Sequence, residues 1–129
     1  MALDLDDLAP EVLEFLSERH LATLTTLRPD GSPHVVPVGF AYDPATRVVR
    51  IITRAASVKA RHAARGGRAA VSQVDGGRWL TLEGTVHLVT DPDGVAAAVA
   101  AYATRYHPPA ERADRVAIEL HVDRILGRA

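Results

Sequence analysis

Residues 68–90 read RAAVSQVDGGRWLTLEGTVHLVT, and this stretch decides the fold class. Asp75-Gly76-Gly77 is a hairpin signal, because glycine supplies the backbone angles that a tight antiparallel reversal needs. It joins a strand over Arg68–Val74 to a longer one over Arg78–Thr90. In the second strand Leu80, Leu82, Val86 and Leu88 share one face with Gly84, while Trp79, Thr81, Glu83, Thr85 and His87 share the other. Period-two alternation of this kind predicts a strand that buries one face.

Working outward, the same reasoning predicts strands over His20–Leu27, Ser32–Tyr42, Arg47–Arg54 and Val116–Ile125. Pro29-Asp30-Gly31 turns the chain between the first two. Val49, Ile51 and Thr53 share a face of the third, and Val116, Ile118, Leu120 and Val122 are the core side of the last. Three helices complete the pattern. One lies between Asp7 and Arg19, with Leu8, Val12, Phe15 and Leu16 at helical spacing; another follows Ser57; the third follows Asp91 and runs to Pro108-Pro109 with Val95, Val99, Tyr102 and Tyr106 on one side. Six antiparallel strands with peripheral helices predict a mainly β fold, a small barrel whose closure removes sheet edges, with an open α+β sheet as the competing arrangement.

At 129 residues the chain is expected to form a single domain, residues 1–129. Charge is nearly balanced, with 15 basic against 16 acidic side chains and no run of one sign, so neither nucleic acid nor an acidic membrane is indicated as a partner. There is no cysteine, hence no disulfide frame and no thiolate metal site, and the six histidines lack HExxH spacing, so no metal is expected. The acidic N-terminus has no apolar signal core and no apolar run reaches membrane length, which predicts a cytoplasmic location.

The segment Thr53–His62, TRAASVKARH, places a helix start directly after a strand. Ser57 suits the N-cap, leaving the first-turn amides to carry partial positive charge outward, where a phosphate fits. Lys59, the only lysine of the chain, then sits in the first turn, where a cation opposes the helix dipole unless an anion lies between them. A solvated, capped surface helix would show the same pattern. Arg54 and Arg50 share a strand face; Arg61 and Arg65 share a helix face, nearly opposite Lys59. Trp79 stands on the polar face of its strand and wants a cover from a helix, a second subunit or a flat ligand. Pro37 and Gly39 lie on a nearly flat strand face that a planar ring can approach, unless the glycine marks a bulge. Gln73 meets a ring edge or lies on the surface. No nucleophile, paired carboxylate or catalytic triad is evident, so the catalytic residues are unknown and a bound cofactor is expected to carry the chemistry.

The runs Phe15–Leu27 (FLSERHLATLTTL), Asp30–Phe40 (DGSPHVVPVGF), Ser57–Ala60 (SVKA), Ser72–Gly84 (SQVDGGRWLTLEG), Arg105-Tyr106 and Arg124–Gly127 (RILG) resemble the flavin/deazaflavin oxidoreductases of the split β-barrel fold, the pyridoxamine 5'-phosphate oxidase-like group. The segment Ser72–Gly84 most resembles its actinobacterial F420H2-dependent biliverdin reductases. The resemblance implies a homodimer with the cofactor in a groove between subunits. It implies coenzyme F420, with FMN as the alternative, and hydride transfer to a small biliverdin-like molecule. An FMN oxidase of the same fold, or a non-catalytic flavin, haem or tetrapyrrole carrier, are the competing functions. Ile52, Thr53, Ser57 and Lys59 are implied to line the ring and phosphate portions, and Pro37, Val38 and Gly39 to back the ring. Arg54, Arg61 and Arg65 suit the acidic tail. Trp79 falls near the position where flavin-binding members carry a ring-contacting glutamine. No Trp- and Arg-bearing segment follows Ile125, which favours the deazaflavin over the FMN oxidase reading.

Overall fold

The computed structural model describes residues 2–129. In chain order the elements are α1 (Pro10–Ser17), β1 (Ala22–Leu27), β2 (Pro33–Val38), β3 (Ala41–Asp43), β4 (Val48–Arg54), α2 (Val58–Arg65), β5 (Arg68–Asp75), β6 (Arg78–Val89), α3 (Pro92–Arg105) and β7 (Arg115–Arg128). The strands form one antiparallel sheet in the order β2-β1-β5-β6-β7-β4-β3.

The expected strand over Ser32–Tyr42 is in fact two, which raises the count from six to seven. They lie at opposite edges of the sheet, yet only Gly39 and Phe40 separate them. Three Cα steps span at most about 11 Å. The sheet must therefore roll until its two edges meet, which is the split-barrel closure that the alternation alone left undecided.

The predicted apolar faces point inward. Leu80, Leu82 and Val86 of β6, Ile118 and Leu120 of β7, Leu24 of β1 and Ile51 of β4 are fully buried around Phe15 of α1 and Phe40. The register of β6 against β7 shifts between Glu83 and Gly84. A Cβ at Gly84 would lie 1.9 Å from the His121 carbonyl oxygen, so the absence of a side chain is what lets the strands cross so closely there. α1 begins with Pro10 in its first turn, and α3 is capped by Asp91, whose carboxylate accepts from the Gly94 amide at 2.8 Å.

The crossover at Gly39-Phe40 is clamped by the end of α3. Arg105 is buried and donates to the carbonyls of Phe40 (2.7 Å) and Glu18 (2.8 Å) and to Gln73 Oε1 (2.7 Å), while its guanidinium stacks over the rings of Phe40 and Tyr106. The Tyr106 hydroxyl donates to the His20 carbonyl at 2.6 Å and accepts from the Phe40 amide at 3.1 Å. Gln73 is thus neither a surface residue nor a ring-edge contact. It is fully buried and also donates to the Phe15 carbonyl at 3.0 Å.

Arg105→Leu leaves the Glu18 carbonyl and the Gln73 amide oxygen without this donor, and the Phe40 carbonyl with only the Tyr106 hydroxyl at 3.3 Å, at about 1–3 kcal/mol for each buried unsatisfied group. Urea denaturation is expected to show a loss of about 3 kcal/mol or more.

Candidate functional site

Rolling the sheet brings the β2–β3 crossover against β4, α2 and α3. Pro37, Val38, Gly39, Ile52 and Lys59 line one cleft of ≈ 310 Å³ together with Tyr102, Pro109 and Arg115. Five of the residues singled out in the sequence therefore converge. Tyr102, Pro109 and Arg115 were not foreseen, and they enter from the end of α3 and the start of β7. Gly39 has a second reason for lacking a side chain: a Cβ there would sit 3.1 Å from ring carbons of both Tyr102 and Tyr106. Its close approach is to the protein's own aromatic rings, which continue the flat wall begun by Pro37.

Thr53 and Ser57 are not among the residues that line the cleft; Ser57, two residues before Lys59, is the N-cap of α2 as expected. Its Oγ accepts from the Ala60 amide at 3.2 Å and from the Thr53 hydroxyl at 3.0 Å. With two bonds accepted, the Ser57 hydroxyl hydrogen is left to donate elsewhere. The half-buried ammonium of Lys59 has no carboxylate partner among the described residues. Burial, with the Arg54 guanidinium acting in the same direction, pulls its pKa below the usual lysine range. A desolvated cation at a helix N-terminus is repaid when an anion binds. The phosphate of a flavin or deazaflavin nucleotide suits these donors, and the apolar surfaces of Pro37, Val38, Ile52 and Tyr102 suit its ring.

The remaining expected residues are placed less centrally. Arg54 and Arg61 are exposed, and neither has a carboxylate partner among the described residues. Arg65 donates instead to the Leu27 carbonyl and ties α2 to β1. Trp79 lies on the outer face of β6, opposite Val74 and Arg128, and does not line the cleft.

Two other features compete for attention. A larger, mainly apolar hollow of ≈ 520 Å³ lies between α1, β3 and α3, but its single charged residue, Arg105, is already committed to the crossover. Glu18, His20 and Asp75 offer three clustered metal-ligand atoms, yet Arg78 bridges the two carboxylates at 2.9 and 2.6 Å. The hydrogen bonds from Arg78 and His20 hold the Glu18 carboxyl down at about 2. This is an ion-pair cluster that already carries its own cation.

A family profile described as pyridoxamine 5'-phosphate oxidase matches residues 8–129. The chain belongs to this family. It is 53% identical over 122 residues to the F420H2-dependent biliverdin reductase of Mycobacterium tuberculosis, covering 95% of this chain and 89% of that protein. Among solved structures it is similar to an F420 reductase, at 30% identity and a TM-score of 0.70, covering 88% of this chain and 94% of that one. The heme storage protein HutZ of Vibrio cholerae shares the fold, with a TM-score of 0.76 at 16% identity over 93% of this chain and 94% of that one. No helix among the described residues is long and apolar enough to cross a membrane.

α2, which carries Lys59, is seated on β1 and β2 by His62. This buried ring lies 2.7 Å from the Thr26 hydroxyl and edge-on to His34. Burial lowers the His62 pKa from its ordinary 6.5, and the nearby Arg65, His34, Arg28 and Arg61 act in the same direction. The unfolded chain therefore binds the proton more readily, so stability is whole above pH 6.5 and falls as the pH drops below it. Denaturation midpoints measured from pH 7 to about 5, above most of the carboxylate range, are expected to fall more steeply in this protein than in its His62→Gln variant.

Proposed function

We propose that the chain is a reductase that transfers hydride from F420H2 to biliverdin, giving bilirubin, or to a related conjugated acceptor. The observation that carries this reading is the 53% identity, across 95% of the chain, to an F420H2-dependent biliverdin reductase. The cleft supports it with a flat apolar wall that ends in unpaired cations. When bound, the reduced deazaflavin supplies the hydride.

The protein's share is position and environment. Pro37, Val38, Gly39 and Ile52 back the ring and keep water from one of its faces. Tyr102 closes the same wall from α3. The Ser57 hydroxyl, the first-turn amides of α2 and Lys59 hold the phosphate, with Thr53 fixing the Ser57 rotamer. Arg54 and Arg61 stand outside this grip, where an acidic tail would leave the cleft.

The chain is further proposed to act as a homodimer. The outer face of the sheet leaves Leu21 73% and Val74 70% exposed, with Val35 and Trp79 on the same side of neighbouring strands. A second copy would cover this surface and bring Trp79 to the rim of its partner's cleft. Val74→Glu is expected to convert a two-chain mass in light scattering to a one-chain mass.

Mixing the purified protein with F420H2 and biliverdin tests the reaction. The absorbance bands of both are expected to change together, and biliverdin left unreduced removes the substrate assignment. Lys59→Ala is expected to weaken F420 binding by about 1.5 to 3 kcal/mol, the range for a hydrogen bond to a charged group, with little change in denaturation midpoint. Fluorescence titration reads the first and thermal melting the second.

A further inference from the structure

Several surface cations of the fold are neutralised locally by carboxylates. Arg47 pairs with Asp6, Arg68 with Asp123, Arg78 with Glu18 and Asp75, and Arg112 with Asp114. The mouth of the cleft departs from this pattern. Arg54 of β4 and Arg115 of β7 are direct partners across the antiparallel ladder, and like charges so placed destabilise the pair. They share a face with Ile52, so both belong to the cleft side of the sheet. Neither they nor Lys59 has a carboxylate partner among the described residues, and no acidic residue lines the cleft. The nearest carboxylate in sequence, Asp114, is held by Arg112 at 3.0 and 3.3 Å, and Arg54 adds to holding its pKa down without forming an ion pair with it.

Arg115 is also fixed in place. Its Nη1 donates to the Ala110 carbonyl at 2.7 Å, which uses one of the five guanidinium hydrogens and leaves the others for a ligand. A preorganised, planar cation is suited to carboxylate. The phosphate donors, Ser57 and Lys59, are on α2, so Arg115 approaches the cleft from a different element and marks a second anionic group.

We infer that Arg115, with Arg54 opposite it, is the carboxylate-recognition residue of this cleft and selects ligands that carry carboxylates in addition to the phosphate. The inference rests on the F420H2 and biliverdin reading for the identity of those ligands. Biliverdin brings two propionates, and F420 brings its glutamate tail. The shared chemistry is the carboxylate, and the two sources are separable by experiment.

Binding titrations of Arg115→Ala and Arg115→Lys, without turnover, compare each acid with a counterpart that lacks its carboxylates. Biliverdin is set against its dimethyl ester, and F420 against the tail-less deazariboflavin 5'-phosphate, which keeps a phosphate and no carboxylate. Arg115→Ala is expected to weaken one of the two acids by about 10- to 100-fold, the effect of losing a charged hydrogen bond, and its counterpart by less than about 2-fold. Arg115→Lys is expected to regain part of the loss. Selective loss for biliverdin assigns Arg115 to the propionates; selective loss for F420 assigns it to the tail. Equal weakening of acid and counterpart, or no weakening of either acid, overturns the inference. A wild-type protein that reduces no biliverdin, while Arg115→Ala still releases tailed F420, refutes the substrate and leaves Arg115 standing. Normal reduction with unaltered binding by Arg115→Ala refutes Arg115 alone.

Discussion

Everything in this fold depends on the chain passing from one edge of the sheet to the other in two residues. β2 and β3 are the outermost strands, and the Gly39-Phe40 step between them forces the sheet to close. That step is stabilised from inside. Phe40 is fully buried, its amide and carbonyl are held by Tyr106 and Arg105, and its ring stacks on the Arg105 guanidinium. Arg105 lacks a carboxylate partner among the described residues. Its charge is met by carbonyl dipoles, an amide oxygen and two aromatic faces, which together offset the cost of removing a cation from water. The same clamp sets the position of Pro37, Val38 and Gly39, so the wall of the cleft and the closure of the barrel are one structural event.

Much of the fold was legible because strand burial leaves a period-two trace. β4, β6 and β7 showed their inward faces correctly, and the caps Ser57 and Asp91 were readable because a helix start needs an acceptor at one defined position. The break at Gly39-Phe40 was not legible. Alternation runs on through Val35, Pro37, Gly39 and Ala41, and the proline and glycine there read equally as a flat strand face or a bulge, because the chain does not reverse but moves to the opposite edge of the same sheet. Arg105 and Gln73 were equally hidden. Their partners lie 32 to 87 residues away along the chain, and a polar side chain inside an apolar segment gives no sign of whom it will meet.

The cleft divides along similar lines. The Ser57 cap and the first-turn position of Lys59 were readable from the local physics of a helix N-terminus, which needs no knowledge of the tertiary fold. Pro37 and Gly39 were reached as a flat strand face, Val38 and Ile52 through family resemblance, and all four meet Lys59 in space. Tyr102 and Arg115 escaped notice because nothing local distinguishes a tyrosine on an alanine-rich helix or an arginine opening a strand. Only the register of β4 against β7 reveals that Arg115 faces Arg54.

The chain as a whole carries a formal charge of −1, yet Lys59, Arg54 and Arg115, none of them in an ion pair with a carboxylate among the described residues, stand together at one opening. A local positive field of this kind acts on a polyanionic molecule before any contact forms, raising the frequency of productive encounters and orienting the approaching molecule acid-end first. Dissolved salt shortens the reach of that field to roughly 10 Å at 0.1 M. The speed of capture is thus governed by the ionic strength of the surroundings, whereas the apolar wall, indifferent to salt, governs how long the captured ring stays.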